Sequence, residues 1–114
     1  MALQATQRQT DGVTIVDLSG TITLDGGSAT LRQLIADLLG KNQNRILLNL
    51  ADVSYVDSTG IGELASAFTS TKKRGGQIKL LNLTKKIRDL LLITKLYAIF
   101  DVHSDEQAAV KSFG

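Results

Sequence analysis

The chain has 114 residues, 43% hydrophobic and 21% charged, with 13 Lys+Arg against 11 Asp+Glu, ten Gly, and no Pro, Cys or Trp. Without cysteine there is no disulfide framework, thiolate zinc site, cysteine-held iron–sulfur cluster or cysteine nucleophile. A lone histidine, His103, leaves out any site needing two imidazoles, and only Glu63 and Glu106 join nine scattered aspartates. The chain is poorly stocked for catalysis, so no catalytic residue, metal site or cofactor is expected, and the length suits one domain over residues 1–114.

The net charge of +2 is too mild to mark a nucleic-acid binder. Its distribution is uneven: residues 1–57 sum to −2 and residues 58–114 to +4. The basic excess, in Lys72, Lys73, Arg74, Lys79, Lys85, Lys86, Arg88 and Lys95, is interrupted by apolar residues and reads as a solvated face. Two Tyr and three Phe offer little stacking surface for bases. The N-terminus lacks the apolar core of a signal peptide and no stretch approaches a membrane span, so a cytoplasmic protein with no membrane contact is expected.

In chain order, Gly12–Gly20 is β-branched and bounded by glycines, a strand paired with Leu3–Thr10 through an Asp11-Gly12 hairpin. Asp25-Gly26-Gly27-Ser28 is a turn leading into a helix with Leu31, Leu34, Ile35, Leu38 and Leu39 on one face, stopping at Gly40. Arg45–Leu50 is short and nearly all apolar, as a buried central strand requires. Ile61, Leu64, Ala65 and Phe68 repeat the helical stripe, with Lys72, Lys73 and Arg74 in the last turn and Gly75-Gly76 as the stop. Ile78–Leu83 is a strand, Thr84 caps a helix carrying Ile87, Leu90 and Leu91, and Ala98–His103 is a last strand. Ser104-Asp105-Glu106-Gln107 reads as a capping box opening a short helix with Ala108 and Val110. Strands alternating with helices imply an α/β fold: a small mixed sheet with parallel crossovers and helices packed on it.

The densest chemistry lies between the central strand and the second helix, in Ala51 to Glu63. Ser58 as a hydrolase nucleophile would need G-x-S-x-G, but position 56 is Val. Asp57 as an aspartic-protease carboxylate is one residue too far from Gly60 and has no second lobe. Gly60-Ile61-Gly62-Glu63-Leu64-Ala65 matches a dinucleotide fingerprint, yet the acid expected about 20 residues on is replaced by Lys79-Leu80-Leu81-Asn82. The loop can instead present a hydroxyl. Asp57 is a good N-cap, placing Ser58 and Thr59 in the first turn, where a phosphoryl group would meet the positive end of the helix dipole. A plain polar cap fits the same letters.

The run Val53–Glu63, centred on Asp57-Ser58-Thr59-Gly60-Ile61-Gly62, resembles the signature of the STAS-domain anti-sigma factor antagonists of bacteria. The resemblance extends over nearly the whole chain, through Gly20, the strand Ile46–Leu50, the Gly75-Gly76 turn and the final helix. It implies a sheet with helices packed on it and a non-enzymatic, partner-switching role. Ser58 would be phosphorylated by a serine kinase that is itself the anti-sigma factor. The unphosphorylated form would bind that kinase and free the sigma factor for transcription, and the phosphorylated form would be released. A PP2C-type phosphatase would reset it. Partner contact is implied at Asp57, Thr59, Gly60, Ile61 and Gly62, and after the first strand pair, where the family commonly has Gly-Glu-(Leu/Ile)-Asp. This chain has Gly20-Thr21-Ile22-Thr23 there, with the nearest acid at Asp25. The alternatives are a constitutive scaffold or interaction subunit of the same fold, and a small nucleotide-binding enzyme using Gly60-Ile61-Gly62.

Overall fold

The computed structural model describes residues 3–114. Its elements are β1 (Gln4–Thr10), β2 (Val13–Ile22), α1 (Ser28–Gly40), β3 (Arg45–Val56), α2 (Ser58–Lys73), β4 (Gln77–Leu81), α3 (Lys85–Ile93), a 3-10 turn at Tyr97–Ile99, β5 (Val102–His103) and α4 (Glu106–Ser112). The five strands lie in the order β1-β2-β3-β4-β5. β1 is antiparallel to β2, and β2–β3, β3–β4 and β4–β5 are all parallel. This is the mixed α/β sheet expected from alternating strand and helix patterns. The first hairpin closes tightly because Asp11 and Gly12 both take positive φ, 51° and 79°, as a two-residue turn of this hand requires.

The first half of the central strand, through Ile46–Leu48 and Leu50, is apolar because both of its faces are covered. Ile46, Leu48 and Leu50 point into a large core with Leu31, Ile35 and Leu38 of α1, Ile61 and Leu64 of α2, and Ile87 and Leu91 of α3. Leu47 points the other way, into a smaller cluster with Val13, Ile15 and Leu81 and with Ala109, Val110 and Phe113 at the C-terminal end. Strand residues alternate between faces, so α1, α2 and α3 share one side and α4 takes the other.

Several boundaries differ from those expected, among them β2, which runs past Gly20 to Ile22. β3 runs six residues past Leu50, to Val56, although Ala51, Asp52, Ser54 and Tyr55 are exposed. The extension is held by β2, with Gly20 opposite Val53, Thr21 opposite Tyr55 and Ile22 opposite Val56, across two register shifts. β4 ends at Leu81, not Leu83, because Asn82 takes a left-handed φ of 60° and turns the chain away. Residues 98–103 are not one strand: the 3-10 turn occupies Tyr97–Ile99 and only Val102 and His103 pair with Leu80 and Leu81. The cap of α4 is Asp105, whose carboxylate accepts the Ala108 N–H at 2.9 Å, and the buried pair is Ala109 and Val110, with Ala108 exposed.

The long β2–β3 pairing positions the loops after both strands. Because Ile22 lies opposite Val56, the turn Thr23–Gly27 and the segment Asp57–Gly60 emerge side by side.

Candidate functional site

Asp57 is the N-cap of α2, and its two carboxylate oxygens are divided between two segments. Oδ1 accepts the Gly60 N–H at 2.8 Å, and Oδ2 accepts the Leu24 N–H at 3.0 Å. The Asp57 N–H in turn donates to the Ile22 carbonyl at 3.3 Å. These two N–H donors, Gly60 first and Leu24 second, hold the Asp57 carboxyl below the ordinary aspartate range. At this site Asp57 is a fastener, with one backbone N–H on each carboxylate oxygen.

Ser58 follows as the first residue of α2 and is exposed, with Thr59 half-buried behind it. Gly60 is buried because the end of β2 presses against it. A Cβ built there would stand 1.9 Å from the Ile22 carbonyl oxygen and 2.7 Å from Val56 Cγ1. Gly62 meets nothing within 4 Å of such a Cβ and leaves the helix surface thin beside Ser58. Ile61 turns inward to the main core. Its side chain is therefore no surface for a partner, and its bearing on the site is to seat α2.

Thr21 and Thr23 lie in the neighbouring turn, and both hydroxyls work inward. Each donates to the Gly26 carbonyl, at 3.1 and 3.0 Å, and Thr23 Oγ1 also accepts the Gly26 N–H at 3.0 Å. Gly27 closes the turn with a φ of 105°, its α-hydrogen side against the Thr21 carbonyl. The turn therefore projects Asp25 and Leu24 outward, and Leu24 is 71% exposed.

On the other side of Ser58 a cleft of about 500 Å³ opens between the end of β3 and α3. Ser58 lines it with Tyr55, Lys86, Asp89, Leu90 and Ile93. Tyr55 is 50% exposed and Ile93 76%. The sequence-predicted residues Asp57, Ser58, Thr59, Gly60, Thr21, Thr23 and Asp25 are thus gathered at one end of the sheet. Leu24, Tyr55, Lys86 and Ile93 belong to the same surface and had not been expected there. Leu24 carried a legible signal, an apolar residue inside an otherwise polar turn; the other three needed β3 to run on to Val56 before they could meet.

The dinucleotide reading loses its footing in this geometry. Gly60 is accounted for by the Ile22 carbonyl packed on it, and its N–H, which a phosphate would need, is already held by Asp57. Among the described residues no group of three or more His, Cys, Asp or Glu is placed to hold a metal, and no helix is long and apolar enough to cross a membrane.

The sequence model of the STAS domain family matches residues 4–109. The anti-sigma-B factor antagonist of Bacillus subtilis is 30% identical over 97% of this chain and all of that protein. The crystal structure of an anti-sigma factor antagonist from Mycobacterium paratuberculosis superposes with a TM-score of 0.85 at 20% identity, covering 98% of this chain and 94% of that one. The Bacillus cell fate determinant SpoIIAA, solved in its phosphorylated form, gives a TM-score of 0.73 at 20% identity, covering 97% and 98%. With the STAS model matched over residues 4–109 and a relative 30% identical along its whole length, the chain belongs to the STAS-domain family, among the bacterial anti-sigma factor antagonists.

Proposed function

We propose that this protein is a partner switch whose state is written on Ser58. Unphosphorylated, it binds an anti-sigma factor that is also a serine kinase, and so leaves the sigma factor free for transcription. The kinase transfers the γ-phosphoryl group of ATP to Ser58 Oγ: a P–O bond to serine forms, the bond to ADP breaks, and the hydroxyl proton leaves. A PP2C-type phosphatase hydrolyses the phosphoserine and resets the switch. Antagonists of this family are regulatory binding proteins and not enzymes, so ATP and metal belong to the partners.

One observation carries the reading: Ser58 is exposed directly beside a carboxylate that is already ionised and locked by Gly60 and Leu24. A phosphate adds about −1.5 to −2 charge next to that fixed anion. α2 tolerates the charge at its N-terminal end, but a docked partner would have to desolvate two adjacent anions. SpoIIAA, which shares this fold, has been solved in a phosphorylated form, in keeping with such chemistry. Thr59, Gly60, Gly62, Thr21, Thr23 and Asp25 border the same surface, and in this chain the threonines support it through the turn.

The test is incubation with the cognate anti-sigma kinase and ATP–Mg. One phosphate is expected, at Ser58, and Ser58→Ala should take none. Ser58→Asp should bind the kinase more weakly than Ser58→Ala. Equal binding of the two variants would remove the charge-exclusion mechanism, and phosphate elsewhere would remove Ser58. A scaffold of the same fold, acting in the cytoplasm without a switch, would instead show no phosphate on Ser58 in cells.

A further inference from the structure

The cleft beside Ser58 holds a lysine that is in no direct ion pair among the described residues. Lys86 lines it, with Nζ standing 5.9 Å from the centroid of the Tyr55 ring. Of the two acids in the same cleft, Asp89 is taken by Lys85, which donates to Oδ2 at 3.0 Å one helical turn away, and Asp57 accepts the Gly60 and Leu24 N–H groups. Among the described residues Lys86 forms no ion pair. An ammonium on a half-exposed aromatic face, lining the same cleft as the Ser58 hydroxyl and paired with neither Asp57 nor Asp89, is available to a new anion.

We infer that Lys86 is the intramolecular partner of the Ser58 phosphate, moving from the face of Tyr55 to the phosphate oxygens when Ser58 is modified. This rests on the reading of Ser58 as the phosphorylated residue and adds how the molecule itself responds. The lysine stem is a flexible chain of four carbons, and Lys86 and Ser58 line one cleft, so the move asks for rotation of the side chain. A charge-assisted hydrogen bond to phosphate is stronger than an exposed cation–π contact, which sets the direction of the move. Phosphorylation then changes the docking surface twice. It adds the phosphate itself, and it strips the ammonium from the ring of Tyr55. A partner that recognises the Lys86–Tyr55 pair in the unmodified protein meets a bare ring and a neutralised lysine in the modified one.

The full chain with phosphoserine introduced at position 58 during translation tests this without any kinase. The second ionisation of the phosphate is followed by ³¹P NMR in wild type, Lys86→Gln and Lys86→Arg. The glutamine variant should titrate about 0.3 pH unit or more above wild type, since a nearby cation favours the dianion. The arginine variant should restore most of the difference, and about 1 M salt should shrink it. Tyr55 ring resonances should shift on phosphorylation in wild type and much less in Lys86→Gln. Identical titrations for wild type and Lys86→Gln would overturn the assignment, as would a Tyr55 response independent of Lys86. Because the phosphate is installed, a kinase that ignores Ser58 would sink the switch reading in its own assay while leaving this measurement intact.

Discussion

The Leu24 N–H and the Asp57 carboxylate meet at 3.0 Å although 33 residues separate them in the chain. This bond ties the turn after β2 to the start of α2, joining the two halves of the proposed docking surface. It also separates two contributions of a single side chain, because the other oxygen caps the helix at Gly60. Asp57→Ala removes both bonds and should lower stability by about 1–2 kcal/mol, the range for a lost helix cap. Asp57→Asn keeps one acceptor oxygen, enough for the cap but not for both loops, since the amide nitrogen can only donate. It should retain most of the stability while the Leu24 amide exchanges faster with deuterium. Equal protection of Leu24 in wild type and Asp57→Asn would show that the turn holds itself.

Two glycines two residues apart should respond oppositely to the same substitution. Gly60→Ala forces a methyl to within 1.9 Å of the Ile22 carbonyl, a backbone atom of β2 that can yield only by shifting the strand. A loss of about 3 kcal/mol or more is expected in urea unfolding. Gly62→Ala meets open space inside the helix and should gain up to about 1 kcal/mol from helix propensity alone. A kinase that binds Gly62→Ala as tightly as wild type would mean that no partner atom approaches that face of α2.

These contrasts show what was readable beforehand and what was not. The helical stripes through Leu31–Leu39 and Ile61–Phe68, the Asp11-Gly12 hairpin and the Asp57 and Thr84 caps are local patterns, set by residues a few positions apart, and each stands where its letters put it. β3 beyond Leu50 was not readable, because Ala51, Asp52, Ser54 and Tyr55 look like a loop until β2 pairs with them. The residues 98–103 misled in the opposite sense: their apolar run resembles a strand, but Asn82 ends β4 early and leaves only two residues to pair. At the site, Ser58 followed from its motif and cap. The inward duty of Thr21 and Thr23, and the meeting of Lys86 with Tyr55, depend on contacts across the sheet end that no spacing encodes.

The far face of the sheet offers a pH test. Arg8 on β1 donates to Asp17 on β2 at 2.7 and 3.0 Å and to Glu106 on α4 at 3.1 and 2.8 Å. The hydrogen bonds from Arg8 hold both carboxyls below their usual range, and the pair of acids raises the guanidinium further above neutrality. For carboxyls lowered in the folded state, the stabilisation is present above the unfolded carboxylate range and is lost as pH falls through the folded values. The difference in stability between wild type and Arg8→Ala should therefore be full at about pH 6 and close as the pH is taken down toward about 2. Its size is modest because all three side chains are partly exposed and screened. Urea midpoints measured across that range check it; a gap that persists undiminished at about pH 2 would assign the role of Arg8 to packing of its stem.

Leu24 allows stability and docking to be told apart. Its side chain is 71% exposed at the tip of the turn, so it contributes little to the fold, while its N–H is fixed by Asp57 beside Ser58. An apolar side chain on a backbone already fixed beside Ser58 suits a binding anchor for the proposed switch: the backbone ordering is met before the partner arrives, and the side chain is buried only on docking. Leu24→Ala should leave the urea midpoint within about 0.5 kcal/mol of wild type, as for other surface changes. Affinity for the anti-sigma kinase should fall about tenfold, the equivalent of about 1.4 kcal/mol. Leu24→Met should recover most of that loss because it restores apolar area without charge. If Leu24 is an anchor for the proposed kinase and takes no part in the chemistry, phosphorylation of Ser58 at saturating kinase should proceed at an unchanged rate in all three proteins. A Leu24→Ala protein that binds like wild type would move the anchor to the other exposed apolar rim, Tyr55 and Ile93, on the far side of Ser58.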